Sequence, residues 1–384
     1  MSLRRALPDI VSIETGPTYS FSLFQIRYSM KITTVFTTLL VCLSATIAFS
    51  ADIDTVFRKN DPKGFGGQIT KVSKTEVVVT QKVGNKEEHF PANEIGRVEY
   101  QNEPPVLSLV RGNLTSGHYA EVLTGCQEAS AAAEGGNQNL RGEIDYLSIQ
   151  ALARLALADA EKIAPALEKM TAFVNTYRDH YRFFPVQLIM AETALLKKDA
   201  IVADSAFRRL QETPWLEYQL IGKAGVARTL LLENKVAEAK TLFDEVATAA
   251  ATTPAEKTCQ MEGMLGQARC LEKMNQIDQS IEVLKKIVND ATADDNRLLA
   301  QTYLQLGNTY SLDGQRAKDA VLAYLHVDVI PALATQADVH AEALFNLSKL
   351  WPAIGQPARG AEASAKLQQE YPGSEWTKKL AGGE

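Results

Sequence analysis

Two hydrophobic periods divide the chain. From Asp52 to Tyr100 the pattern is that of strands. Gln68-Ile69-Thr70-Lys71-Val72 alternates polar and apolar, and Glu76-Val77-Val78-Val79-Thr80 is a β-branched run suited to a buried strand. Val83-Gly84-Asn85-Lys86 carries a hairpin signal, and Ile95 to Tyr100 supplies a closing strand, so four or five strands are expected. Gly64-Phe65-Gly66-Gly67 lacks the Gly-Lys-Ser/Thr ending of a phosphate loop and opens a strand, which predicts a bulged strand start. Asn102-Glu103-Pro104-Pro105 punctuates the pattern, because neither proline continues a ladder. Beyond it the period becomes helical and stays so to the end.

The helical part repeats itself. A small residue followed four positions later by a bulkier one recurs as Ala166/Met170, Ala203/Phe207, Ala239/Phe243, Ser280/Leu284, Ala320/Tyr324 and Ala361/Ala365, at spacings of 37, 36, 41, 40 and 41. Twelve or thirteen residues before each stands another small residue: Ala153, Ala191, Ala227, Ala268, Gly307 and Ser348. Two small positions at that distance let helix A and helix B of a hairpin approach closely, and the bulky residue then fills the gap to the next hairpin. Helix starts are expected at Thr253-Pro254-Ala255-Glu256, a capping box with proline at the first helical position, and at Thr213-Pro214 and Ser374-Glu375. One hairpin cannot bury its apolar stripe, so about seven must stack.

These residues resemble the tetratricopeptide repeat (TPR) family. The clearest copies run from Ala227 through Leu230, Ala237 and Ala239 to Phe243, and from Tyr303 through Leu306-Gly307 and Tyr310 to Ala320. Leu109 to Glu128 looks like a worn first hairpin, and Tyr371-Pro372-Gly373-Ser374 is similar to a repeat junction of bacterial envelope members. The resemblance covers residues 106 to about 380, with copies longer than the standard 34 residues. It implies a mainly α fold, an α-solenoid of TPR-like hairpins over 106–384; ahead of it, the four or five strands over 51–103 resemble a small SH3-like or Sm-like β-barrel, too short for a large core and expected to lean on its neighbour. It further implies that the residue after the first small position of helix A points into a concave partner groove. Those residues are Arg154, Glu192, Arg228, Arg269, Asn308 and Lys349; four of the six are basic, which favours an acidic segment or a free carboxylate.

The N-terminus adds a location. Met30-Lys31 precedes a charge-free run from Ile32 to Phe49 that ends in Ala48-Phe49-Ser50-Ala51, the pattern of a signal peptide over 30–50 with cleavage after Ser50. Residues 1–29 hold Pro8, Gly16 and Pro17 with no period, which fits an upstream mis-start without structure. Val41 precedes Cys42 where a lipidation signal wants a small residue, so lipidation is not expected. Export to the periplasm or cell envelope follows, with membrane association only through this segment if it stays uncleaved.

Composition narrows function mainly by exclusion. At 46% hydrophobic and 22% charged residues the chain reads as globular, and its net charge of −6 has no dense basic block, which disfavours nucleic acid as a ligand. Cys126, Cys259 and Cys270 form no disulfide framework. Cys259 and Cys270 share one expected helix, about 16 Å apart at 1.5 Å per residue, and read as core residues. The five histidines are scattered, and no nucleophile elbow, dinucleotide turn or zinc pattern occurs, so neither enzyme, cofactor nor metal is expected. Arg178-Asp179-His180-Tyr181-Arg182-Phe183-Phe184 mixes bases and aromatics in a nucleobase-stacking style, and reads more simply as a tight loop between repeats. The expected function is an extracytoplasmic protein–protein scaffold. The alternatives are a cell-wall glycan binder using the barrel aromatics Phe57, Phe65, Phe90 and Tyr100, or an enzyme without a recognisable motif.

Overall fold

The computed structural model describes residues 53–59, 61–133 and 137–382. The expected upstream segment 1–29, the signal peptide 30–50 and Cys42 lie outside them.

Five strands open the described chain: β1 (Asp54–Arg58), β2 (Phe65–Val72), β3 (Glu76–Thr80), β4 (Glu87–Pro91) and β5 (Ile95–Glu99). All pair antiparallel in the order β4-β3-β2-β1-β5, and among the described residues no ladder joins β4 to β5. The expected barrel is therefore an open five-stranded sheet. Its register shifts fall at Phe57/Arg58 and between Ile69 and Lys71, away from the glycine run where a bulge was expected. The glycines serve close approach: a Cβ on Gly67 would lie 2.6 Å from the Thr80 carbonyl oxygen across the strand pair. The β3–β4 hairpin turns at Gly84 and Asn85, both at positive φ, where glycine and asparagine cost least.

Sixteen helices follow among the described residues: α1 (Val106–Thr115), α2 (Tyr119–Ala132), α3 (Gln138–Ala158), α4 (Ile163–Thr176), α5 (Phe183–Leu196), α6 (Ala200–Gln211), α7 (Leu216–Leu232), α8 (Val236–Ala247), α9 (Pro254–Lys273), α10 (Ile277–Asp290), α11 (Asn296–Ser311), α12 (Ala317–Val329), α13 (Pro331–Ala334), α14 (Ala337–Ala353), α15 (Pro357–Glu370) and α16 (Glu375–Gly382). Apart from α13 and α16 they form seven hairpins, α1/α2 through α14/α15, in a TPR-like α-solenoid. Five hairpin turns pass through one left-handed residue each (Gly117, Lys198, Asn234, Asn275 and Gly355), which stops helix A and starts the reversal.

The small positions work as spacing predicts. Ala166, Ala203, Ala239, Ser280 and Ala320 have no exposed surface, and the Ser280 hydroxyl donates to the Ala268 carbonyl across a hairpin at 2.9 Å. Phe207 and Phe243 then each meet a glycine of the next hairpin, while Tyr324 meets Gly307 of its own. A Cβ on Gly225 or Gly266 would sit 2.1 Å from the ring of Phe207 or Phe243 respectively. The last copy is a correction. Ala361 and Ala365 are both exposed, and the inward pair on α15 is Ala363 and Leu367, two residues later. The capping box at Thr253 and Glu256 forms, and the Ser374 hydroxyl accepts from the Thr377 amide at the start of α16. Thr213-Pro214 starts no helix: α7 begins at Leu216, and the Thr213 hydroxyl instead donates to the Leu210 carbonyl.

Sheet and solenoid share one core. Val56, Val77, Val79, Phe90 and Val98 pack in a single cluster with Leu107, Val110, Val122, Ile144 and Tyr181. A polar joint crosses the same seam. Arg182, buried before α5, makes two hydrogen bonds to Glu143 of α3 at 2.9 and 3.0 Å and also donates to the carbonyls of Ile95 and Gly96 in β5. The Arg178–Phe184 motif is thus the bracket between sheet and solenoid as well as an inter-repeat loop.

The solenoid also returns on itself. The Ala160 amide donates to the Gly373 carbonyl at 3.3 Å, and Lys198–Glu375 and Lys378–Glu161 pair across the same contact. A Cβ on Gly373 would lie 2.6 Å from the Asp159 carboxyl carbon. The turn after α15 and the helix α16 therefore seat against the second and third hairpins.

Candidate functional site

That return turns the inner face into a cavity. Helices α3, α5, α7, α9, α11 and α14 contribute residues to a space of about 510 Å³, and a neighbouring recess of about 220 Å³ shares Glu192, Arg228, Arg269 and Arg297 with it. Apolar residues from α3 and α5 (Leu157, Leu188, Ile189, Leu195 and Leu196) form one wall. The helix supplying much of that wall, Phe183–Leu196, has Glu192 as its single charge. A helix apolar all round needs neighbours on every side.

Charge in the larger cavity is one-sided: Lys59, Arg154, Arg228, Arg269 and Arg297 face Glu192 and Asp338. Two of the arginines are matched by two-pronged pairs. Arg228 donates to both oxygens of Glu192 at 2.6 and 3.0 Å, and Arg297 to both oxygens of Asp338 at 2.9 and 3.1 Å. Arg269 is held differently, its Nε donating to the Gln305 amide oxygen at 3.2 Å. Burial, with Arg228 and Arg297 adding like charge, holds its pKa below the ordinary value. Burial pushes the Glu192 carboxyl up, but the Arg228 guanidinium outweighs it and leaves the group below the usual carboxylate range. In the recess, burial pushes the Glu262 carboxyl above that range. A space with guanidinium donors in excess of carboxylates is arranged to take anionic groups, since a buried cation is costly without a partner.

Four of the six residues expected in the groove, Arg154, Glu192, Arg228 and Arg269, line this cavity together. Asn308 and Lys349 do not. The Asn308 amide oxygen accepts from the Tyr324 hydroxyl at 2.7 Å and its Nδ2 donates to Glu342 at 3.4 Å, while the Lys349 ammonium sits 4.4 Å over the Phe345 ring. On those last two A helices the cavity residues are Arg297 and Gln301 on α11 and Asp338 on α14; Arg297 and Asp338 each stand eleven positions earlier. Eleven residues make almost a whole number of turns, so the face is right and the level is three turns off. The signal that reaches Arg297 is thus helical phase rather than the small-residue pattern.

Of the four sheet aromatics, two are buried and two, Phe57 and Phe65, are half-buried, with Phe65 packed against Phe90. Phe90 and Tyr100 are buried in the shared core, Arg58 lies 4.4 Å from the Phe90 centroid, and Arg97 covers Phe57 at 3.9 Å. Among the described residues no group of His, Cys, Asp or Glu has metal-site geometry, and no helix is long and apolar enough to cross a membrane. Cys126, Cys259 and Cys270 are unpaired and buried, and burial pushes the Cys126 thiol up to about 12.

No family model matches the sequence, and no curated protein matches it either. Solved structures do. The crystal structure of PilW, a widely conserved type IV pilus biogenesis factor, is 19% identical, with coverage of 64% of this chain and 100% of that one, at a TM-score of 0.38. A Rap protein complexed with competence and sporulation factor is 13% identical over 71% of this chain and 78% of that one, at 0.44. The human IFIT1 dimer with m7Gppp-AAAA is 13% identical over 68% and 67%, at 0.32. Likenesses this distant leave the fold assignment resting on the stacked hairpins themselves.

Proposed function

We propose that this chain is an extracytoplasmic scaffold, a binding module rather than an enzyme, whose inner cavity holds an acidic segment of a partner protein. The observation that carries the reading is the charge of the cavity: five cations against two carboxylates, with Arg269 hydrogen-bonded to the Gln305 amide rather than paired two-pronged with a carboxylate. An incoming carboxylate would meet the Arg269 guanidinium beside the apolar wall of α5, where water screens the pair less than at an open surface. Export is supported by the signal-peptide pattern at Met30–Ala51, and intact mass of protein recovered from its native envelope should then begin at Ala51.

The test of binding is an affinity capture from envelope extract with the full chain and with the Arg154→Glu/Arg269→Gln double variant. The expected result is a discrete protein partner that the wild type retains, that salt weakens and that the variant loses. Sedimentation with purified cell wall, and no protein partner, would overturn the reading in favour of glycan binding.

A further inference from the structure

A second concavity lies on the opposite side of α5. Phe183, Gln187 and Met190 point away from the face that carries Leu188, Glu192 and Leu195, since residues three and four apart share a helix face and these two sets are half a turn out of phase. Together with α4 and α6 they enclose about 610 Å³, within the range of ligand-binding clefts. Its apolar part includes Val174, Phe183, Met190 and Ile201, and Ile201 is 83% exposed, an uncommon state for so large an apolar side chain. The charged residues lining it are Lys74, Arg178 and Arg209, with no carboxylate among them. Lys74 comes from the β2–β3 turn, its ammonium 5.6 Å from the Phe184 ring centroid, so the sheet supplies part of the rim. Asp179, next to Arg178, accepts from the Lys74 backbone amide at 3.2 Å and so ties that turn to the start of the hairpin.

We propose that this convex-face pocket is a second docking surface, for an amphipathic peptide segment of a protein partner that sets carboxylates beside apolar side chains. Charge complementarity selects that occupant: an apolar floor ringed by three cations rejects a basic segment. The first fifty residues of this chain, with four basic and two acidic residues, carry the wrong sign. With the arginine-lined cavity on the other face of the same helix, the solenoid holds two partners back to back. This second site does not depend on the first being correctly read.

The experiment uses the full chain and a fluorescein-labelled amphipathic peptide with leucine on one face and aspartate and glutamate on the other, alongside a counterpart carrying lysine in place of the acids. Binding is followed by anisotropy at two salt concentrations. Measured in the Arg154→Glu/Arg269→Gln background, which disables the inner cavity, the acidic peptide should still bind, salt should weaken it, and adding Arg178→Glu/Arg209→Glu should cost at least about tenfold in affinity. Ile201→Asp, at an exposed position that folding does not need, should weaken binding without altering circular dichroism. Equal binding of the lysine peptide overturns the proposal. So does the absence of binding in the Arg154→Glu/Arg269→Gln background. If phosphatidylglycerol vesicles, or a second copy of the chain, bind through the same residues while the acidic peptide does not, the site belongs to a membrane or to self-association and the proposal fails.

Discussion

Ala239 and Ala237 differ by two positions and by everything that matters for packing. Ala239 has no exposed surface and lies in the α7–α8–α9 core, whereas Ala237 is exposed. Ala239→Leu should therefore overpack the hairpin and cost on the order of 1–3 kcal/mol, with Ala237→Leu nearly silent in the same urea titration. His180 sets a second residue-scale expectation. Its Nδ1 accepts from the Arg182 amide at 3.1 Å and its Nε2 faces the Asn139 carbonyl at 3.1 Å, so the neutral ring with the proton on Nε2 satisfies both. Burial pushes its pKa down from 6.5 to about 4. Above pH 6.5 folded and unfolded chains both hold it neutral. Between 6.5 and 4 the unfolded chain takes up a proton that the folded one refuses, so stability falls on acidification through that window, by on the order of 3 kcal/mol at its lower end. Denaturant titrations at pH 7.5 and pH 5 check this, and His180→Gln should flatten that part of the profile.

At the scale of elements, the joint between sheet and solenoid governs stability. Glu143 and Arg182 are 1% and 4% exposed, and their pair is tied to β5 through two carbonyls. Removing one partner leaves a buried charge without compensation, so Arg182→Ala should cost about 3–5 kcal/mol. The paired change Glu143→Leu/Arg182→Met should recover much of that loss, because no charge is then left buried. Chemical denaturation of the two variants decides it; a loss in the double variant as large as that of Arg182→Ala would show that the bonds to Ile95 and Gly96 dominate. The joint was only half legible in the sequence. Arg178 to Phe184 stood out for its mixture of bases and aromatics, yet Glu143 lies on a helix whose apolar pattern gives it no emphasis, and only folding brings the two together.

At the scale of the molecule, the return of the last hairpin onto α3 makes the inner face a cavity rather than an open trough. Gly373 is the close point of that contact, since a Cβ there would meet Asp159. Gly373→Leu should part the ends while leaving the hairpins intact: small-angle scattering should show a larger radius of gyration, with an unchanged far-ultraviolet circular dichroism spectrum. An unchanged radius would mean that Lys198–Glu375 and the apolar packing of Trp376 hold the closure without help from close backbone approach.

What the sequence determined alone was everything with a short period. Alternation marked the strands, the recurrence of small and bulky residues marked the hairpins near their observed number, and the position after the small residue identified four cavity residues. Those signals are local, since each depends on which side of one helix or strand a residue occupies. The tertiary structure alone decided that the sheet stays open and merges its core with the first hairpins. It also decided that Arg297 and Asp338 replace Asn308 and Lys349, and that the last repeat packs through Ala363 and Leu367. The reason is accumulated geometry. Small rotations between successive hairpins add up along a solenoid, so the level at which each helix faces its interior depends on all the hairpins before it.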